Sequence, residues 1–211
     1  TPIISFTGGT VTGKHIASVT APMFKKISLE LGGKNPNIIF ADANFDKAVK
    51  MAVKAAFSNQ GQICLCGSRL FVQKEIYADF KQALLDKVSQ LTVGEPKKES
   101  SDLGAVVSKA HMNKILGKIE EGKKLGGKIL TGGNRVILEG NLKNGYYIEP
   151  TVIEGLPFDC SINQEEIFGP VVSLIPFESE EEIIEMANST KYGLSASIFT
   201  ENISKGHRVA A

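Results

Sequence analysis

Two residues of this chain, Cys64 and Glu30, have the chemical types and the surroundings that nucleophilic catalysis requires. Cys64 ends the stretch 57–64, in which Ser, Asn, Gln and Gly residues precede the thiol. Glu30 ends an apolar segment and is followed closely by Gly32 and Gly33. A cysteine attacks carbonyl carbons as its thiolate, and a carboxylate can serve as a general base. The pair therefore indicates a cysteine nucleophile that works with a glutamate base.

Both residues also have ordinary explanations that the sequence leaves open. A free cysteine more often fills a core than attacks a substrate, and a single glutamate usually lies on the surface. A loop of polar and glycine residues would nevertheless give a substrate access to Cys64, and burial beside Leu31 would favour Glu30 as a general base. The other two cysteines, Cys66 and Cys160, are expected to serve packing.

The composition is that of an ordinary globular protein and argues against several classes of partner. The 211 residues carry a net charge of +1, which provides no long-range field for nucleic acid or for an anionic membrane. No apolar run approaches the ~20 residues that span a bilayer. Three cysteines are too few for a disulfide framework, and the scattered histidines form no zinc motif with them. We therefore expect a cytoplasmic protein that binds no metal, nucleic acid or membrane.

Two further segments have the residue types that bind nucleotides. Residues 8–14 have P-loop spacing, but His15 stands where that motif needs a Ser or Thr for Mg²⁺, which disfavours nucleoside-triphosphate hydrolysis. Free N–H groups at a helix start can still bind a cofactor phosphate. In the segment 164–170, Glu166 could accept hydrogen bonds from ribose hydroxyls while Phe168 covers a planar heterocycle. An acidic loop with one core Phe is the ordinary alternative for this second segment.

Strand and helix signals alternate along the chain, which favours an α/β fold with an open, mostly parallel sheet and flanking helices. The clearest helix covers residues 45–57, where apolar residues recur with a helical period and Asp42 or Asn44 can cap the first turn. Cys64 then lies on a loop before a strand at 69–72. The other predicted strands are 3–6, 26–31, 37–40, 146–153, 171–175 and 195–200, and the other predicted helices are 10–20, 76–91, 108–125 and 180–188.

Taken together and in order, these motifs resemble those of the aldehyde dehydrogenase superfamily. The matching segments are the glycine turn at 6–10, Leu-Glu-Leu-Gly-Gly-Lys at 29–34, the cysteine segment at 57–64, Glu-Ile-Phe-Gly-Pro at 166–170 and Tyr-Gly-Leu-Ser-Ala at 192–196. The similarity runs essentially from end to end, and the spacing between Glu30 and Cys64 is that of the family. Residues 62–66 and 156–170 are most similar to the branch that acts on 2-aminomuconic and hydroxymuconic semialdehydes.

The resemblance implies an oxidoreductase that converts a small aldehyde into a carboxylic acid, with NAD as the expected cofactor and NADP as the alternative. Cys64 would form a thiohemiacetal and then a thioester, and Glu30 would activate the water that releases the acid. Ile63 and Leu65 would line the aldehyde pocket. The expected cofactor-binding residues are Gly8, Gly9, Leu31, Gly32, Glu166 and Phe168.

The resemblance also implies that the chain is part of a longer protein and is truncated at both ends. Residues 1–31 would be the C-terminal remnant of a dinucleotide-binding domain, and residues 32–211 would form most of a catalytic domain. We expect the piece alone to bind NAD weakly with little activity, and the full-length protein to form a homo-oligomer. Two alternatives stay open, namely an NAD-independent thiol esterase and a non-enzymatic structural relative. The presence of both Cys64 and Glu30 argues against the second.

Overall fold

The computed structural model describes residues 1–211, which form ten strands and seven α-helices. The strands are β1 (Ile3–Thr7), β2 (Lys26–Glu30), β3 (Pro36–Ile39), β4 (Arg69–Gln73), β5 (Lys128–Thr131), β6 (Arg135–Val136), β7 (Tyr147–Ile148), β8 (Thr151–Glu154), β9 (Val171–Phe177) and β10 (Ser197–Phe199). The helices are α1 (Thr10–Thr20), α2 (Phe45–Phe57), α3 (Tyr77–Val88), α4 (Lys109–Lys124), α5 (Ser161–Gln164), α6 (Glu180–Asn188) and α7 (Ile203–Ala210). None of the helices is both long and apolar enough to cross a membrane.

The main sheet has six strands in the order β10-β3-β4-β9-β8-β5. Every neighbouring pair is parallel except β5–β8, which is antiparallel and lies at one edge. In the centre of the sheet, Ile38 lies opposite Phe71, and Phe71 lies opposite Ile175. The prediction of an open, mostly parallel sheet is confirmed.

Helices cover both faces of the main sheet, as apolar parallel strands require. Helices α2 and α3 pack on one face, where Ala52 and Leu84 belong to a cluster of 16 buried residues that also includes Val72 of β4. On the opposite face, Ile183 of α6 packs with residues of β3 and β9, and Ile115 of α4 packs with residues of β8 and β9. Most apolar side chains of the central strands are therefore fully enclosed.

A second, two-stranded parallel sheet consists of β1 and β2 and is connected by α1. Thr7 and Glu30 are the last paired residues, so both strands end at the same edge. The N–H of Gly8 donates to the carbonyl of Glu30 at 3.0 Å and holds the next turn against that edge. The predicted domain boundary after residue 31 falls just beyond this sheet and stays a prediction.

The local predictions hold best where a single segment determines its own structure. The helix predicted at 45–57 is confirmed, and the side chain of Asn44 caps it by accepting the N–H of Lys47 at 3.1 Å. The single strand predicted at 146–153 is wrong, because the chain forms β7 and β8 and pairs them with different strands. Pro150 lies between them and has no N–H to donate, which ends the first strand.

Candidate active site

The candidate site lies where the edges of the two sheets meet. Thr7 and Glu30 end the two strands of the small sheet. Gly33, Cys64 and Phe168 lie on the segments that lead into β3, β4 and β9. The carboxyl ends of β1 and β2 therefore face loops at the amino ends of three central strands. Ligands commonly bind at the carboxyl ends of parallel strands in α/β folds, and the small sheet follows this rule.

One cavity of about 240 Å³ brings the predicted residues together. It contains both predicted catalytic residues, all predicted cofactor-binding residues and Thr7 in addition. The lining residues are Thr7, Gly8, Gly9, Glu30, Leu31, Gly32, Cys64, Glu166 and Phe168. Cys64 and Glu30 thus share one pocket, although β2 and the loop that carries Cys64 belong to different parts of the fold.

The loop that carries Cys64 is held in a turn by its own backbone and by Asn35. The N–H of Cys66 donates to the carbonyl of Ile63 at 3.0 Å, which closes a β-turn with Cys64 at its second position. The Asn35 amide donates to the carbonyls of Cys64 and Cys66 at 2.6 and 3.0 Å. Cys64 itself stays half-buried, so the fold fixes its backbone while its thiol remains accessible from the cavity.

The two predicted pocket-lining neighbours of Cys64 occupy different positions. Ile63 is 37% exposed and lines a small cavity next to the main one, together with Cys64 and Cys66. Leu65 is 58% exposed, and its side chain extends from the surface beside the nucleophile. Burial raises the pKa of the Cys66 thiol, in keeping with the packing role expected for it. Cys160 packs against the cluster beneath α4.

The expected burial of Glu30 is wrong, because its side chain is exposed. Strand β2 belongs to a sheet of only two strands, and Leu29 is the one residue of this strand that is even partly buried. Glu30 therefore reaches the cavity from its open side, where water can meet the carboxylate. Its proximity to Cys64 in the cavity, and not an apolar environment, makes it the candidate base.

Glu166 crosses the cavity and contacts the chain on its other side. Its Oε1 accepts the N–H of Gly33 at 3.0 Å. A Cβ atom on Gly32 would lie 2.4 Å from Oε2 of the same carboxylate, so glycine is required for this approach. Phe168 follows two residues later with a φ of +57°, a left-handed conformation that bulky residues rarely adopt. The segment that carries both residues is thus held in an unusual shape.

The glycine turn after β1 has the features of a phosphate-binding site. Gly9 is the N-cap of α1, and no side chain caps the first N–H groups of this 11-residue helix. Nothing lies within 4 Å of the position that a Cβ of Gly9 would take. Free N–H groups and the positive end of the helix dipole favour a phosphate here. These residues fit the diphosphate of a dinucleotide cofactor.

Lys34 is a buried lysine directly behind the site. It is 1% exposed, and its ammonium group forms no hydrogen bond or ion pair. Burial lowers its pKa from 10.5 to about 7, and the positive charge of Arg69 adds to the shift. Arg69 is also buried, but it donates to the carbonyls of Lys34, Met186 and Ala187. Both residues also line a separate cavity of about 930 Å³, which contains neither Cys64 nor Glu30.

Two contributors to the site were not identified from the sequence. Asn35, described above, holds the turn of Cys64. His111 of α4 contacts the carbonyl of Phe168 through Nε2 at 2.7 Å, across 57 residues of sequence. This contact gives His111 a place in the cofactor segment and not beside the thiol. Only the i, i+4, i+7 spacing of His111, Ile115 and Lys118 on one helix face could have drawn attention to it.

Comparisons with known proteins agree with this geometry. The model of the aldehyde dehydrogenase family matches residues 1–211. The 4-trimethylaminobutyraldehyde dehydrogenase A of Danio rerio is 44% identical over 209 residues, which are 99% of this chain and 41% of that protein. The 2-aminomuconic semialdehyde dehydrogenase of Homo sapiens is also 44% identical, over 99% of this chain and 43% of that protein.

Solved structures show the same relationship. A betaine aldehyde dehydrogenase from Staphylococcus aureus in complex with NAD⁺ has a TM-score of 0.94 and 44% identity, over 99% of this chain and 41% of that chain. The chain therefore spans less than half the length of the relatives it matches. The resemblance to this family is confirmed, and its similar proteins include 2-aminomuconic semialdehyde dehydrogenase, to which the trimethylaminobutyraldehyde enzyme is equal in identity. The chain belongs to the aldehyde dehydrogenase family.

Proposed function

We propose that this chain carries the catalytic centre of an NAD-dependent aldehyde dehydrogenase, with Cys64 as nucleophile and Glu30 as general base. One observation carries the proposal, namely the cavity in which these two residues meet the glycine turn, Glu166 and Phe168. A thiol and a carboxylate alone would suit many reactions. Their position beside a free helix N-terminus and a carboxylate suited to ribose hydroxyls favours a dinucleotide-dependent oxidation.

The first step is the attack of the Cys64 thiolate on the aldehyde carbon. The carbonyl oxygen then becomes an oxyanion and needs a hydrogen-bond donor. The backbone N–H of Cys64 has no partner within the chain and is positioned to supply one such bond. The turn that Asn35 holds keeps this N–H fixed relative to the sulfur. The product of this step is a thiohemiacetal attached to Cys64.

Oxidation converts the thiohemiacetal into a thioester, and NAD⁺, when bound, supplies the acceptor for the hydride. Glu166 would hold the ribose hydroxyls, and Phe168 would position the nicotinamide. Gly8, Leu31 and Gly32 line the same cavity, and Gly9 would offer its free N–H to a phosphate. The exposed carboxylate of Glu30 then removes a proton from water, which attacks the thioester and releases the acid.

The substrate is proposed to be a small aldehyde. The similar proteins named above act on aldehydes that carry a trimethylammonium group or on a muconic semialdehyde, and Ile63 beside Cys64 offers an apolar contact to such a chain. A homo-oligomeric full-length protein and a cytoplasmic location are part of the same proposal. Three free cysteines are in keeping with a reducing compartment.

The test is NADH formation by the 211-residue chain at high concentrations of NAD⁺ and an aldehyde such as 4-trimethylaminobutyraldehyde. We expect NADH that depends on the aldehyde, is absent in Cys64→Ser and unaffected in Cys160→Ser. In Glu30→Gln we expect at most one NADH per chain, because the thioester forms but is not hydrolysed. NADH formation that survives Cys64→Ser would refute the proposal. Ester hydrolysis at Cys64 without any NADH would favour the thiol esterase.

A further inference from the structure

Helix α4 contacts the segment 165–169, which carries Glu166 and Phe168, at three points. The contacts come from His111, Ile115 and Lys118, which follow each other at i, i+4 and i+7 and therefore share one helix face. The same segment contacts the loop of Cys64 from the other side. A Cβ atom on Gly61 would lie 2.2 Å from the carbonyl oxygen of Gly169. The segment is thus enclosed between α4 and the loop that carries the nucleophile.

The contact of His111 acts on the strained residue itself. Nε2 lies 2.7 Å from the carbonyl oxygen of Phe168, and the two rings meet edge to face with centroids 6.2 Å apart. A carbonyl oxygen can only accept, so Nε2 carries the proton and donates it. The φ of +57° at Phe168 is unfavourable for a residue with a Cβ, and it persists only where the surroundings hold it.

The other two contacts hold the flanks of the segment. Nζ of Lys118 lies 2.9 Å from Oε2 of Glu165 and also pairs with Glu121 of its own helix. A Cβ atom on Gly169 would lie 2.5 Å from Cδ1 of Ile115, so the backbone lies directly on this side chain. Neither contact fixes the carbonyl of Phe168. That carbonyl belongs to the peptide group next to the Cα that carries the Phe168 ring, and His111 is the side chain that contacts it.

We propose that His111 is a positioning residue for the cofactor segment: its imidazole N–H holds the Phe168 carbonyl and keeps Phe168 and Glu166 turned into the cavity of Cys64. This inference rests on the proposed function, because it assigns cofactor binding to that segment. His111 does not touch the reacting atoms. Its loss leaves Cys64 and Glu30 in place but lets the Phe168 backbone relax towards a right-handed or extended conformation.

The test compares His111→Leu, which removes the donor, with His111→Gln, whose amide N–H can replace it. His207→Gln, on exposed α7, is the matched control. NAD⁺ affinity is measured by calorimetry, Cys64 reactivity by its rate of alkylation, and the backbone by chymotrypsin cleavage after Phe168. In His111→Leu we expect NAD⁺ to bind about tenfold more weakly, cleavage after Phe168 to be about tenfold faster, and alkylation of Cys64 to stay within about twofold. His111→Gln is expected to restore both altered values.

The results of this test distinguish a failure of the positioning role of His111 from a failure of the proposed function. Unchanged cleavage and unchanged NAD⁺ affinity in a folded His111→Leu would overturn the positioning role, as would a His111→Gln variant that behaves like His111→Leu. If the unmodified chain binds no NAD⁺ at millimolar concentration, the proposed function of the chain fails. The proteolysis result then still decides whether His111 holds Phe168. Thermal unfolding of each variant shows that the comparison is made between folded proteins.

Discussion

Lys34 makes the stability of this protein depend on pH in a direction that can be calculated. The Lys34 side chain is 1% exposed and its ammonium group is unpaired, and burial lowers its pKa from 10.5 to about 7. The unfolded chain therefore binds a proton between pH 7 and pH 10.5 that the folded chain has released. Stability rises with pH wherever the unfolded state binds more protons. Folding should become more favourable as pH increases through this window.

The magnitude follows from the two pKa values. The full shift from 10.5 to about 7 corresponds to a penalty of roughly 5 kcal/mol for burying the charged lysine. Between pH 7 and pH 9 Lys34 loses its proton in the folded state, and the penalty decreases by roughly 2 kcal/mol. Lys34→Met removes the charge and keeps an unbranched side chain of similar length. This variant should be more stable than the original at pH 7 and should lack the pH-dependent gain.

Urea unfolding at pH 7, 8 and 9 measures the free energy of unfolding. Far-ultraviolet circular dichroism is the signal, because the chain has no tryptophan to report by fluorescence. The free energy of unfolding should rise by roughly 2 kcal/mol in the original chain and stay nearly level in Lys34→Met. Lys54→Met, an exposed position on α2, should keep the original slope. Other groups that titrate in this range are common to all three proteins. Equal slopes in the original chain and in Lys34→Met would show that Lys34 is not the group responsible.

Substitutions at Gly61 and Gly32 distinguish a residue that stabilises the fold around the cavity from a residue that affects cofactor binding. Gly61→Ala places a Cβ 2.2 Å from the Gly169 carbonyl oxygen at a φ of +68°. We therefore expect urea unfolding to give a free energy of unfolding lower by about 2–4 kcal/mol. Gly117→Ala in α4, whose added Cβ contacts nothing within 4 Å, is the control and should raise the free energy of unfolding by about 0.5–1 kcal/mol. A Gly61→Ala chain as stable as the original would contradict the close approach. Gly32→Ala places a Cβ 2.4 Å from Oε2 of Glu166, which must shift, so it should lower NAD⁺ affinity about tenfold while the alkylation rate of Cys64 stays unchanged. Slower alkylation would place Gly32 in the support of Cys64 instead.

The sequence was most informative where a residue and its determinants are close in the chain. The period of 45–57 and the cap at Asn44 define α2, and Pro150 could have revealed the break between β7 and β8. The exposure of Glu30 could not be inferred, because it depends on how little packs against β2. The contact of His111 with Phe168 and that of Glu166 with Gly33 join residues 57 and 133 positions apart. Such contacts depend on how the sheets assemble, and no local pattern encodes them.

The family motifs predicted the residues of the cavity, but not their arrangement. Glu30, Cys64 and Glu166 were expected to act together, and the structure places them around one space of about 240 Å³. The motifs did not predict that the carboxyl ends of β1 and β2 face the loops at the amino ends of β3, β4 and β9. This arrangement of the two sheets explains why the nucleophile and the base come from different elements of the fold.

The central claim is that Glu30 activates water for an acyl group on Cys64. Intact-mass spectrometry of the chain mixed with 4-nitrophenyl acetate tests it without any cofactor, with Glu185→Gln as a control at an exposed glutamate. The account predicts an acetyl group on Cys64 that turns over in the original chain and in Glu185→Gln but accumulates in Glu30→Gln. Acetylation at another residue, or release from Glu30→Gln as fast as from the original chain, would contradict it.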